Sequence, residues 1–470
     1  MSKQPESHRP ISREDTAELL RRYDKKGPRY TSYPTAIEFG DGVAHADYLE
    51  LLARANEKPD EPLSMYVHLP FCEARCNFCG CNVIISPHKE VAVPYIELLQ
   101  KETEMLAAHL PDRRTFSQLH LGGGTPTYHP PEELRGILAH LLERFTPTKD
   151  AELAIEVDPR VTTEEHIKVL AELGFNRISM GVQDLTEEVQ QAIGRIQTLE
   201  ETAAIVNQAR AHGFTGINVD LIYGLPYQTA ESFELMLKSV LSLKPDRAAV
   251  YSFAWVPDIK GNQTYIDESV LPAADLKFEL FAIAREQFLN AGYEPIGMDH
   301  FALPSDELAR ARREGRLRRN FQGYATIPAD DVVGLGISSI GDLSGSYVQN
   351  EKKLSTYRQA LEAGLFPVHR GVQRDDDDEL RRALIHDLMC NFKVDKRKLE
   401  QTFKIDFDEY FAKDLEELAG LVEEGLATND ADTISATPAG ELFVRNLAMC
   451  FDRYRRDGHR EGKQVFSRTI

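Results

Sequence analysis

The chain has 470 residues, 42% hydrophobic and 28% charged, with 75 acidic against 55 basic residues and a formal net charge of -20. That length exceeds one hydrophobic core, which predicts two or three globular domains, and the acidic average repels nucleic acid wherever no local basic patch intervenes. Six cysteines exclude a secreted disulfide scaffold, the polar opening MSKQPESHRPISRED lacks a signal-peptide core, and no apolar run is long enough to span a bilayer, so a cytoplasmic chain is expected.

Residues 1–60 read as an N-terminal arm carrying GPRYTSYPTA (27–36). From Ser64 to about Pro257, short β-branched runs alternate with longer amphipathic stretches. The runs are MYVHL (65–69), QLHL (118–121), ELAIEV (152–157), RISMGV (177–182), INVDLIY (217–223) and AAVYSF (248–253). Regular alternation predicts a parallel sheet with helices outside. Six units fall short of the eight that close a barrel, so the expected class is α/β, a partial (β/α)6 TIM-like barrel. With its extension it should occupy residues 61–370.

In parallel α/β folds, functional groups gather at the carboxyl ends of the strands. The first run leads into FCEARCNFCGC (71–81) and the second into GGGTPT (122–127). The third ends in Glu156 and Asp158, the fourth in Gln183 and Asp184; the fifth carries Asn218 and Asp220, and the sixth reaches Ala254 and Trp255. Each feature alone is ordinary as a turn glycine or helix cap. Six successive strand ends sharing one rim point to a site. GGGTPT lacks the lysine of a P-loop, and the Gly-x-Gly of a late strand, DVVGLGISSI, lacks the full dinucleotide fingerprint.

Four cysteines crowd into one loop with the spacing Cys72-x3-Cys76-x2-Cys79-x-Cys81. Structural zinc takes two ligand pairs separated by a longer loop, and no second pair follows. Three thiolates with one open metal position suit a cluster that binds a further ligand. Cys81 is then surplus, too close to Cys79 for an obvious fourth ligand. Cys390 and Cys450 fall in apolar helical patterns and are read as core residues.

After Gly371 the pattern changes. An acidic run, Asp375 to Glu379, opens a helical region that ends in a hairpin-like LATNDADTISAT and a final helix. Residues 371–470 are expected as a mostly helical, winged-helix-like cap. Its acidity argues against phosphate contact and favours a lid over the barrel mouth.

C-x3-C-x2-C directly after a strand resembles the signature of radical S-adenosylmethionine enzymes. Together GPRYTSYPTA, PFCEARCNFCGCN, GGGTPT, SMGVQD, IGMDHFA (296–302) and NFQGY (320–324) resemble the oxygen-independent coproporphyrinogen III oxidases of that superfamily. The likeness runs from about residue 25 to the terminal FSRTI. It implies a [4Fe–4S] cluster on Cys72, Cys76 and Cys79, whose fourth iron takes the amino and carboxylate groups of S-adenosylmethionine. It further implies a first S-adenosylmethionine on Tyr66, Gly123, Glu156 and Ile340. A second would lie on Phe78, Gly124, Thr125, Gln183, Arg195, Asp220 and Ala254. Cys81 matches a cysteine important for function without ligating the cluster.

The activity implied is conversion of two propionates of coproporphyrinogen III to vinyls, giving protoporphyrinogen IX in haem biosynthesis. A 5′-deoxyadenosyl radical starts it, and an electron donor and acceptor are required. Six arginines in ARARREGRLRRNFQGY (309–324) read first as solvated charge, with Arg319 the candidate for the substrate's propionates. Arg29 and Tyr30 belong to an arm that, by the resemblance, lies near the active site, and a monomer is expected. His68 reads as a satisfied interior histidine. Trp255 stands where the family commonly has histidine, either as packing or as a flat face for a ligand. Two alternatives are a haem-trafficking protein of the same superfamily, disfavoured by Cys81 and PRYTSYPTA, and a non-enzymatic zinc-binding protein.

Overall fold

A computed structural model describes residues 13–327 and 331–456 of the chain. The six runs are strands: β1 (Leu63–Leu69), β2 (Thr115–Gly123), β3 (Thr146–Val157), β4 (Arg177–Gln183), β5 (Gly216–Tyr223) and β6 (Arg247–Ser252). They pair in parallel with their sequence neighbours, β1 to β6 in order. Beyond β1 the sheet adds a seventh parallel strand, Val332–Leu335, and then three antiparallel ones; beyond β6 it adds two antiparallel strands, so it stays open. This is the expected α/β class with a partial barrel. The late segment DVVGLGISSI is not one strand: it folds into Val332–Leu335 and the antiparallel Ile340–Leu343, joined by a loop in which Gly336 and Ser338 have positive φ.

Three of the helices between the strands start at threonines whose side chains accept a backbone N–H of the first turn: Thr163, Thr198 and Thr229. Their apolar faces pack on the outside of the sheet, where Leu153, Ile155, Ile178, Val219 and Leu221 are buried. The alternation of β3 then turns Glu152, Ala154 and Glu156 toward the barrel interior. The same period in β4 and β5 sends Ser179, Asn218 and Asp220 inward. An interior lined by such groups is a polar cavity, unlike the close-packed core of a closed barrel.

The segment after Gly371 forms helices Asp376–Asn391, Lys396–Phe403, Ala412–Glu423 and Val444–Cys450, with a three-stranded antiparallel sheet of Lys393–Asp395, Thr433–Ala436 and Ala427–Asn429. The acidic run is structural: Asp375 caps its helix, and Asp377 and Asp378 pair with Arg453. Cys390 and Cys450 are buried. The arm is stitched to this region, since Tyr30 donates to Asp452 at 2.9 Å and Arg445 donates to the Pro28 carbonyl at 2.9 Å. The opening MSKQPESHRPISRED falls mostly, and FSRTI entirely, outside the described residues. No described helix is long and apolar enough to cross a membrane.

Candidate active site

The β1–β2 register sets Leu69 opposite Gly123, so the cysteine loop and the glycine run leave the sheet side by side. Gly124 N–H donates to the Leu69 carbonyl and Thr125 N–H to that of Phe71, both at 2.9 Å. Contact this close requires glycine: a Cβ at Gly124 would meet the Pro70 backbone at 2.6 Å, and Gly123 holds φ of +117°.

The cysteine loop has little regular structure, and side chains from elsewhere pin it. Asn262 Nδ2 lies 3.2, 2.9 and 3.0 Å from the carbonyls of Cys76, Asn77 and Cys79. Gln263 donates to the Phe78 and Ala254 carbonyls, and Asn77 donates to Ala192. Cys72, Cys76 and Cys79 thereby line one cavity, with Cys81 exposed beside them. The hydrogen bond with Cys79, and then burial, push the Cys81 thiol up.

The thiols sit in different surroundings. Burial pushes Cys72 up to about 11 although Thr125 lies 3.4 Å from its sulfur. A hydrogen bond from Cys81 pulls Cys79 down to about 6, making it the thiolate of that pair. Arg160 and Arg195 place guanidinium nitrogens 3.8 and 3.9 Å from the Cys76 sulfur. Both also donate to Asp158, at 2.6 and 2.8 Å.

Below the rim, His120 Nε2 meets Glu156 at 3.2 Å and Gly123 N–H donates to Glu156 at 3.3 Å. Burial opposes the Glu156 charge, but the His120 hydrogen bond prevails and holds the carboxyl below its usual range. Asp220 goes the other way: burial, then the nearby Glu156 charge, push it up to about 7. It accepts from Asn218 at 2.9 Å and Ser179 at 3.1 Å. Tyr66 stacks on His120 and bonds His68, whose other nitrogen meets the Asn82 carbonyl at 3.0 Å, so His68 is fully occupied.

Most of the candidates therefore meet around one cavity: Phe78, Gly123, Gly124, Thr125, Glu156, Gln183, Arg195 and Asp220 line it with the four cysteines. Ala254 is not on this cavity but is tied to the cysteine loop through Gln263, and Trp255 packs with Phe78 against an apolar cluster around Ile193 and Phe253. Tyr30, Arg319 and Ile340 lie elsewhere, in a second cavity between the barrel mouth and the C-terminal helices. An inner cavity shares Glu156 and Asp220 with the first and Gln118, Asn320 and Gln322 with the second.

Sequence reasoning missed the roles of Asn262, Gln263 and Arg160. An amide pair in a loop carries no signal until the fold brings it against the cysteines. Of the six arginines in 309–324, Arg312, Arg313 and Arg316 form ion pairs with Glu441, Glu294 and Glu314. Among the described residues no three His, Cys, Asp or Glu side chains close on a single-ion site. Three thiols on one cavity, with guanidinium donors behind one of them, fit a cluster held by three sulfurs and open at its fourth metal position.

Comparison with known proteins gives the same picture. Residues 66–240 match the Radical SAM superfamily and residues 375–443 the HemN C-terminal domain. The oxygen-independent coproporphyrinogen III oxidase of Pseudomonas aeruginosa is 43% identical over 97% of this chain and 98% of its own length. That of Escherichia coli is 44% identical over 96% and 98%. The solved structure of coproporphyrinogen III oxidase (HemN) from Escherichia coli, described as a Radical SAM enzyme, superposes with a TM-score of 0.88 at 44% identity, covering 90% of this chain and 97% of that one. The chain belongs to the oxygen-independent coproporphyrinogen III oxidase family of radical S-adenosylmethionine proteins.

Proposed function

We propose that this protein oxidatively decarboxylates two propionates of coproporphyrinogen III to vinyl groups without oxygen, giving protoporphyrinogen IX for haem synthesis in the cytoplasm. The convergence of Cys72, Cys76 and Cys79 on a cavity floored by Glu156 and Asp220 carries the reading. The family's [4Fe–4S] cluster and S-adenosylmethionine, when bound, supply the one-electron chemistry that starts the oxidation.

The protein's own residues do the rest. Cys72, Cys76 and Cys79 would hold the cluster, and Arg160 and Arg195 temper the thiolate charge at Cys76. Glu156, kept anionic, can take an ammonium or a ribose diol, with Tyr66 and Gly123 on the same side; Ile340, which the resemblance adds to that set, approaches from the adjoining cavity. Phe78, Gly124, Thr125, Gln183, Arg195, Asp220 and Ala254 are the set for a second S-adenosylmethionine. Cys81, exposed in the cavity, and Tyr30 and Arg319, in the adjoining one, are assigned to the substrate side.

Each propionate loses carbon dioxide and one hydrogen, so two electrons leave per vinyl formed; an external donor starts the cycle and an external acceptor closes it. We assign the arm to residues 1–60, the barrel with its extension to 61–370 and the cap to 371–470, acting as a monomer. Anaerobic reconstitution with iron, sulfide, reductant, S-adenosylmethionine and coproporphyrinogen III tests the reading. Two carboxyl groups lost per substrate, with 5′-deoxyadenosine formed, are expected. Haem binding without decarboxylation would assign the chain to trafficking instead.

A further inference from the structure

The cavity between barrel mouth and cap is lined from two sides by cations. Arg318 and Arg319 come from the strand Arg318–Asn320; Arg382 and Lys398 come from the helices Asp376–Asn391 and Lys396–Phe403. In a chain of net charge -20, four cations on one cavity need a reason. Arg382 has one, since it donates to Asp342 at 2.9 Å.

The other three have no carboxylate within ion-pair distance among the described residues. Arg319 keeps Nε and Nη1 buried with no hydrogen-bond partner, its guanidinium lying 4.6 Å from the Tyr324 ring centre. A buried donor left unmatched in a folded protein is costly and calls for an acceptor. Arg318 and Lys398 are more exposed. Asp387, on the same cavity, feels both charges but bonds Asn391, and His386, held neutral by burial, accepts the Arg319 backbone N–H and lies 3.6 Å from the Cys390 sulfur. Phe321, Ile340, Tyr347 and Phe403 add apolar and aromatic faces to the same walls. A flat apolar macrocycle fringed by carboxylates matches both features.

We propose that Arg318, Arg319 and Lys398 form a carboxylate clamp for the propionates that are not reacting, including the two retained in the product. The proposal rests on the substrate class assigned above. Two propionates react in succession at one centre, so the macrocycle must be re-seated between them. Cations carried on two separate elements, a strand and a cap helix, can grip whichever carboxylates point away from the cysteine cavity. Cap and barrel then close on the substrate together, through its charge.

The test needs no turnover. The full-length, cluster-loaded protein, without reductant or S-adenosylmethionine, is titrated with coproporphyrin III, the stable oxidised relative of the substrate, and with its neutral tetraamide, following the Soret band. The native protein should bind the tetra-acid at least about tenfold more tightly than the amide, with a preference that salt weakens. The doubly substituted Arg318→Gln, Lys398→Gln protein, altered only at exposed positions, should lose at least about tenfold for the acid and nothing for the amide. Arg319→Lys should lose less than Arg319→Gln. Equal acid binding by native and variant proteins, equal loss of acid and amide, or no acid binding at all would overturn the clamp. Failure to form protoporphyrinogen in the reconstitution assay, with these titrations as expected, would count instead against the proposed reaction.

Discussion

Arg195 donates to Asp158 at 2.8 Å, and the same nitrogen lies 3.9 Å from the Cys76 sulfur. One guanidinium thus ties the carboxyl end of β3 to the second cysteine of the loop. Both partners are buried, with side chains 7% and 9% exposed, so the pair cannot be broken cheaply. Arg195→Ala leaves Asp158 still paired with Arg160, so we expect a loss of about 1–3 kcal/mol, the scale of a lost hydrogen bond to a buried charge. Urea denaturation measures it. Iron bound per chain should fall as well, whereas a stability loss with full iron would limit the residue to a structural role.

Asn262 offers a different handle on the same loop. Its amide nitrogen serves three carbonyls of the cysteine segment, and the residue is 7% exposed. Asn262→Ala should lower the cost of opening the cysteine loop by about 1–3 kcal/mol through carbonyls left unmatched. The effect should be local, with the thermal midpoint near native while chelators strip iron much faster. Unchanged iron release would show that the loop holds its shape without this anchor.

Cys81 separates ligation from chemistry. Its backbone N–H reaches the Cys79 sulfur at 3.4 Å and the residue lines the cavity. Cys81→Ser keeps the backbone contact, so iron and sulfide content should stay native. Decarboxylation should fall at least about tenfold, the effect of one lost contact of about 1.4 kcal/mol on the substrate side. Loss of iron would make Cys81 a ligand and refute that division.

Glu102 gives a pH dependence. Buried, it accepts from Tyr357 and Asn350 at 2.6 Å and from Gly336 N–H at 2.7 Å, and burial pushes it up to about 7. Between its ordinary value of 4.5 and about 7, the native chain keeps a proton that the unfolded chain has released. Stability from this group is therefore full below pH 4.5 and declines as pH rises to about 7. Glu102→Gln removes that slope. Denaturation midpoints at about pH 5 and pH 8 should show the variant gaining on the native protein at the higher pH. Parallel curves would mean that Glu102 is ionised throughout.

The sequence by itself determined the class of the fold and the place of the chemistry. Six β-branched runs at helical intervals can bury their apolar faces only as a parallel sheet under helices, and all six pair as that pattern requires. The cysteine spacing and the glycine run were legible because such chemistry leaves a local trace: close ligands in a short loop, and no side chain where backbones touch. Tertiary structure decided what depends on distant partners. Nothing in GNQTY announces that Asn262 will hold a loop nearly two hundred positions upstream, or that Arg318 and Lys398 will face one cavity while Arg312 and Arg313 find glutamates. The same holds for the two interior carboxylates: identical chemistry, but His120 keeps Glu156 charged while burial beside that charge leaves Asp220 near neutrality. A residue's type is written in the chain, but its protonation and its partners are set by neighbours that only folding brings within a few ångströms.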